Sequence, residues 1–167
     1  MKTQIKKKSL LLLMALISLS LYAKKDNMIG IYNIYTISSS INSFGYGISI
    51  ENKLTDYLGV NYGFALINKT EGSLSKFYSL PVSLKLYTKI VNVSLGANVD
   101  LLYKELADGN IPFYHYGLFD FGVFSKIGKE INIIKNFYIE PEITIGYMGL
   151  LSEYHYLGGG IIAKILF

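Results

Sequence analysis

Two histidines, His115 and His155, are the residues best suited to chemistry in this 167-residue chain. Ser152 and Glu153 stand close to the second of them. A serine, a histidine and an acid are the set that nucleophilic catalysis requires. The spacing matches no catalytic motif, however, and each histidine sits between two tyrosines, in Tyr114-His115-Tyr116 and Tyr154-His155-Tyr156. That setting reads more simply as interfacial aromatics, and no catalytic residue is assigned. Two histidines without a third ligand also make a poor metal site, so no metal is expected. Glu140 and Glu142 form an acid pair of the kind used in acid–base work, but their alternation with apolar neighbours suits a structural network better. Gly158-Gly159-Gly160 precedes an apolar extended run rather than a helix, which removes a phosphate loop. Cysteine is absent. This excludes disulfide scaffolds, thiol catalysis, CxxC zinc sites and a lipid-modified N-terminal cysteine. No cofactor is expected.

The elements that position these residues begin after an address. Residues 1–23 carry Lys2, Lys6, Lys7 and Lys8, then an apolar run from Leu10 to Leu19, then Ser20-Leu21-Tyr22-Ala23. That is the order of a secretory signal peptide, with cleavage expected after Ala23. The run is shorter than the ~20 residues of a membrane-spanning helix. All of the 16 cations are lysines, set against 12 acids. Removing the leader takes away four lysines and no acid, so the remainder has as many lysines as acids. The formal charge of +4 thus belongs to the leader. No basic stripe is left to support nucleic-acid binding.

Residues 24–167 alternate with period two. Phe44, Tyr46, Ile48 and Ile50 share a face opposite Gly45, Gly47, Ser49 and Glu51. The same rhythm recurs over residues 58–66, 78–86, 91–103, 139–147 and 158–167. Over residues 116–127 the apolar Leu118 and Phe124 fall on the polar face, which predicts a bulge. Residues 28–37 are apolar on both parities and give no register. Turn-forming stretches separate eight strand candidates, among them Thr88-Lys89, Asp108-Gly109-Asn110 and residues 128–136. The connections suit hairpins throughout, hence an antiparallel meander.

One face is large and apolar; the other holds glycine, serine, asparagine and a few charges of both signs. A soluble barrel would show long solvated side chains on its polar face. Nine glycines lie there instead, from Gly45 to Gly160. That fits the crowded interior of an eight-stranded barrel whose apolar face meets lipid. The fold expected is therefore an all-β, eight-stranded antiparallel up-and-down transmembrane barrel. Its lumen would hold a charge network of Lys85, Asp100, Asp120, Lys126, Glu140, Glu142 and Lys164, with Glu51 on the same face. Glu140 and Glu142 lie on the seventh strand, between strands bearing Lys126 and Lys164. Phe44, Tyr46, Phe64, Tyr78, Tyr103 and Tyr147 are expected at one rim and Phe137 and Phe167 at the other, as aromatic girdles.

These features resemble the small OmpA/OmpX-type outer-membrane barrels and the outer membrane protein beta-barrel domain family. FYSLPVSLKLY at residues 77–87, FYIEPEITIGY at 137–147 and the ending GGGIIAKILF carry the resemblance. It covers essentially all of residues 24–167. It implies residence in the outer membrane, with lipid and lipopolysaccharide as neighbours and Phe167 as the signal read by the barrel-assembly machinery. It further implies a monomer with a structural or surface-interaction role, including contact with a host surface molecule. A narrow channel for small hydrophobic or ionic solutes and a lipid A-modifying rim enzyme are the alternatives. The lack of arginine makes any lumen network lysine-based. The short loops weigh against an adhesin.

Overall fold

The computed structural model describes residues 26–38, 42–69, 76–103, 118–148 and 154–167. The leader, His115, Ser152 and Glu153 lie outside these residues. Nine extended segments follow in chain order. They are β1 (Asn27–Ser38), β2 (Asn42–Lys53), β3 (Leu58–Lys69), β4 (Lys76–Tyr87) and β5 (Asn92–Tyr103). Then come β6 (Leu118–Gly128), β7 (Ile131–Ile134), β8 (Phe137–Met148) and β9 (Tyr154–Leu166). Every pairing is antiparallel, in the order β6-β5-β4-β3-β2-β1-β9-β8-β7, and a β6–β8 ladder closes the ring.

The wall has eight strands, because β6 and β7 are two parts of one. Gly128 faces Glu142, Ile131 faces Ile139, and the Lys129 N–H between them donates to the Pro141 carbonyl (3.2 Å). The expectation of a turn over residues 128–136 is thereby corrected. The chain stays extended to Ile134 and reverses at Lys135-Asn136, where Asn136 takes φ 67°. Asparagine tolerates that left-handed conformation better than most residues. Ile131, Ile133 and Ile134 are all exposed, so no period-two signal marked the extension. Among the described residues 118–127 the expected bulge is also absent. β6 keeps an unbroken register with β5 from Leu118 to Gly128. Phe124 simply points inward and fills lumen space, at 5% exposure. The irregularity lies later, between Asn132 and Ile134.

β1, which had no readable register, turns Met28, Gly30 and Tyr32 inward. Its partners decide this. Tyr32 lies opposite Gly47 on β2, and an added Cβ at Gly47 would meet the Tyr32 ring and the Phe64 carbonyl. Gly146 stands in the same relation to Tyr156, its partner on β9. Inward glycines thus make room for inward tyrosine rings.

Burial is inverted relative to a soluble domain. Among the described residues five apolar side chains are buried, against sixteen polar or charged ones. Outward residues such as Ile31 (67% exposed) and Leu95 (70%) form the exterior. The turns at residues 54–57, 88–91 and 135–136 are short and lie at one end of the barrel, here the turn end. The other end is the loop end.

Candidate functional site in the barrel lumen

The alternation that builds the wall also delivers its charges to the interior. Near the turn end, β2 supplies Glu51, β4 Lys85, β8 Glu140 and β9 Lys164. Glu130, at the joint between β6 and β7, completes the group. Lys85 Nζ donates to Glu51 (2.9 Å), Glu140 (2.6 Å) and Glu130 (3.2 Å). Lys164 Nζ donates to Glu51 (2.6 Å), Glu130 (3.0 Å) and Glu140. Each ammonium has three donors and each finds three carboxylates. Tyr87 Oη donates to Glu51, and Asn92 Nδ2 to Glu140 (3.0 Å). Lys53 approaches Glu130 at 3.6 Å, so three acids meet three lysines. Glu51, Lys85 and Lys164 are no more than 2% exposed. Buried charges are tolerable only when paired and hydrogen-bonded in this way. The cluster ties five wall strands together across the lumen and fills it.

The carboxylates of Glu51, Glu130 and Glu140 lie close enough to share a metal ion. Their oxygens are engaged by two ammonium groups, which already supply the counter-charge a cation would bring.

Midway along the lumen, Lys126 Nζ pairs with Glu142 at 2.5 Å. The Tyr32 and Phe124 ring centroids lie 5.7 and 5.5 Å from it, within cation–π range. Towards the loop end, Asp100 faces Asp120 across the β5–β6 ladder, and both are buried. Asn98 Nδ2 donates to Asp100 (2.8 Å) and the Phe121 N–H to Asp120 (2.9 Å). A cavity of about 60 Å³ opens in this half, lined by Ile34, Ala65, Ile67, Asn98, Asp100, Lys126 and Thr144 among others. It has room for ordered water.

The seven lumen residues named from sequence thus form three groups. Lys85, Glu140 and Lys164 meet at the turn end, Lys126 and Glu142 in the middle, Asp100 and Asp120 towards the loops. Glu130 was missed because residues 128–136 read as a turn. Carrying the parity of Lys126 and Gly128 two residues further would have found it. Of the aromatics, Phe44, Tyr46, Phe64 and Tyr78 point outward on neighbouring strands β2 to β4, joined by Tyr35. Phe64 and Tyr78 stack with centroids 5.7 Å apart. Tyr147 packs against His155, which is exposed, at 5.0 Å. Phe137 begins β8 near the turn end, where Phe167 is 73% exposed. Tyr103 ends β5, and its side chain lies outside the description.

A closed barrel with an apolar exterior and a charged interior is a transmembrane β-barrel. Solved structures place the fold among small outer-membrane barrels. Neisserial surface protein A aligns with a TM-score of 0.60 at 16% identity, over 85% of this chain and 96% of that one. The N-terminal barrel domain of Pseudomonas aeruginosa OprF aligns at 0.53 and 16% identity, over 84% and 100%. The attachment invasion locus protein Ail of Yersinia pestis, solved with the heparin analogue sucrose octasulfate, gives 0.52 and 17%, over 85% and 97%. No family model matches the sequence, and no curated protein does.

Proposed function

We propose that this chain is an integral outer-membrane barrel that acts through its surface, by stabilising the envelope or by contacting lipopolysaccharide or a host molecule. Solute passage and catalysis are not its business. The observation that carries this reading is the filled turn end of the lumen. Five charged side chains joined by ion pairs occupy the lumen there, and on this reading they close it to solutes. The loop-end cavity is therefore a blind chamber. Ail, a barrel of similar fold, was solved in complex with the heparin analogue sucrose octasulfate, which supports a ligand-contacting role for this chain.

Further parts of the reading follow from the residues. The leader directs export and is removed after Ala23. Phe167, exposed at the end of β9, serves as the assembly signal. Outward aromatics anchor the two rims, and the barrel is a monomer. Short turns face the periplasm in barrels of this kind, so the turn end lies inside and the loop end outside.

Planar-bilayer recording of the folded chain tests the reading. Silence at high protein density is expected; steady unitary conductance would install the narrow-channel alternative. The enzyme alternative predicts altered lipid A on overexpression that His155→Ala abolishes. Unchanged lipid A by mass spectrometry is the outcome expected here.

A further inference from the structure

On the outside of the wall, a groove of about 720 Å³ crosses from β9 to β4. Its shape follows from the ladders. One row of outward side chains runs through Ala163, Ile31, Ile48 and Phe64, each opposite the next. The neighbouring row runs through Ile161, Asn33, Tyr46, Leu66 and Tyr78. Between the rows lie Tyr32 and Gly47. The Tyr32 side chain turns to the lumen and Gly47 has none, so backbone forms the floor.

Four strand spacings separate β9 from β4, giving a length of about 19 Å. Tyr78 lies near the start of β4, at the loop end. Ile161 and Ala163 lie well along β9, towards the turn end. The groove therefore descends obliquely from the loop-end rim into the apolar belt, as tilted strands require. Two short residues keep it open. Ala163 has only a methyl group. Asn33 is tied back to the wall, its Oδ1 accepting the Ile161 N–H (3.0 Å). The flanking Ile31, Ile48 and Ile161 are each more than half exposed and offer continuous hydrocarbon walls. The Tyr46 and Tyr78 hydroxyls belong to the rim half, where a head group would sit.

We propose that this groove is a binding site for one fatty-acyl chain of an outer-leaflet glycolipid, entering beside Tyr78 and ending at Ala163. It rests on the outer-membrane reading above and gives that reading a defined lipid site. The direction of the groove selects the leaflet. Its mouth is at the loop end, whereas an inner-leaflet phospholipid has its head group at the opposite rim.

The test is native mass spectrometry of the full chain extracted from outer membranes in mild detergent. Wild type and Val123→Trp, which alters an outward position on the far wall, should each retain one glycolipid. Ala163→Trp fills the lower groove. It should reduce retention about tenfold, the equivalent of two displaced methylenes. Heat-modifiable gel mobility verifies that each variant is folded. Ile31→Ala, which removes a wall instead of adding bulk, should also weaken retention. Equal retention in all four proteins overturns the site, and so does no retained lipid or a retained phospholipid. If the chain fails to fractionate with the outer membrane, the localisation itself falls. If it fractionates there and holds no glycolipid, only the groove falls.

Discussion

The two halves of the lumen solve the same problem differently. At the turn end, Glu51, Lys85, Glu130, Glu140 and Lys164 fill the space and satisfy one another. Towards the loop end, small and medium side chains such as Ser43, Ala65 and Thr144 leave a cavity. Thr144 Oγ1 and Asn98 Oδ1 are buried there with no hydrogen-bond partner among the described residues. The first half is a cross-brace that holds the wall to a fixed diameter. The second is a chamber large enough for ordered water to serve its polar groups. Stability should therefore be concentrated at the turn end, with tolerance at the other.

Lys164→Met gives the sharpest contrast. It leaves Glu51 and Glu140 with Lys85 as their one lysine, and Glu130 with Lys85 and the more distant Lys53, in a buried site. Removing one member of a buried ion cluster costs about 3–5 kcal/mol, to be read from urea unfolding in detergent micelles by tyrosine fluorescence. Gly47→Val comes next, at about 1–3 kcal/mol for overpacking. The added side chain meets the Tyr32 ring and the Phe64 carbonyl, with the same assay as readout. Lys126→Met should cost less than Lys164→Met, about 1–2 kcal/mol. Its Glu142 pair is single, and Lys126 is 16% exposed on its side chain and lines the chamber. Thr144→Val should fall within about 0.5 kcal/mol of wild type. It removes a hydroxyl that has no hydrogen-bond partner among the described residues. If Thr144→Val cost as much as Lys164→Met, the division into brace and chamber would be wrong.

Much of this was legible in the residues, and the gaps have physical causes. Strand number and inside-out burial follow from strict alternation, which reports directly which parity meets lipid. The meetings of Lys164 with Glu140 and of Lys126 with Glu142 were readable because hairpin neighbours share height. The meeting of Glu51 with Lys85 and Lys164 across the lumen was not. It depends on closure of the ring, a property of the whole wall rather than of any pair of strands. β1 gave no register because Ile29 to Tyr35 are apolar on both parities. The choice was made by Gly47, on another strand, leaving space for Tyr32. Glu130 stayed hidden because β7 is exposed on every residue, so nothing there alternates. Asp100 and Asp120 share with the lysines only their parity. Parity gives the face but not the height, and the register sets the pair towards the loops.

The chain has no cysteine, so a single introduced thiol reports its own site without background. Ser79 on β4 lines the loop-end chamber. Ser94 on β5 faces Lys85 beside the turn-end cluster. Both are buried to a similar degree, 5% and 7% exposed, so exposure alone does not separate them. In the folded barrel, a small water-soluble thiosulfonate reagent added from outside should modify Ser79→Cys faster than Ser94→Cys, by roughly tenfold or more, since access controls thiol reactivity. Equal rates, or faster modification of Ser94→Cys, would contradict a wet chamber above a sealed brace.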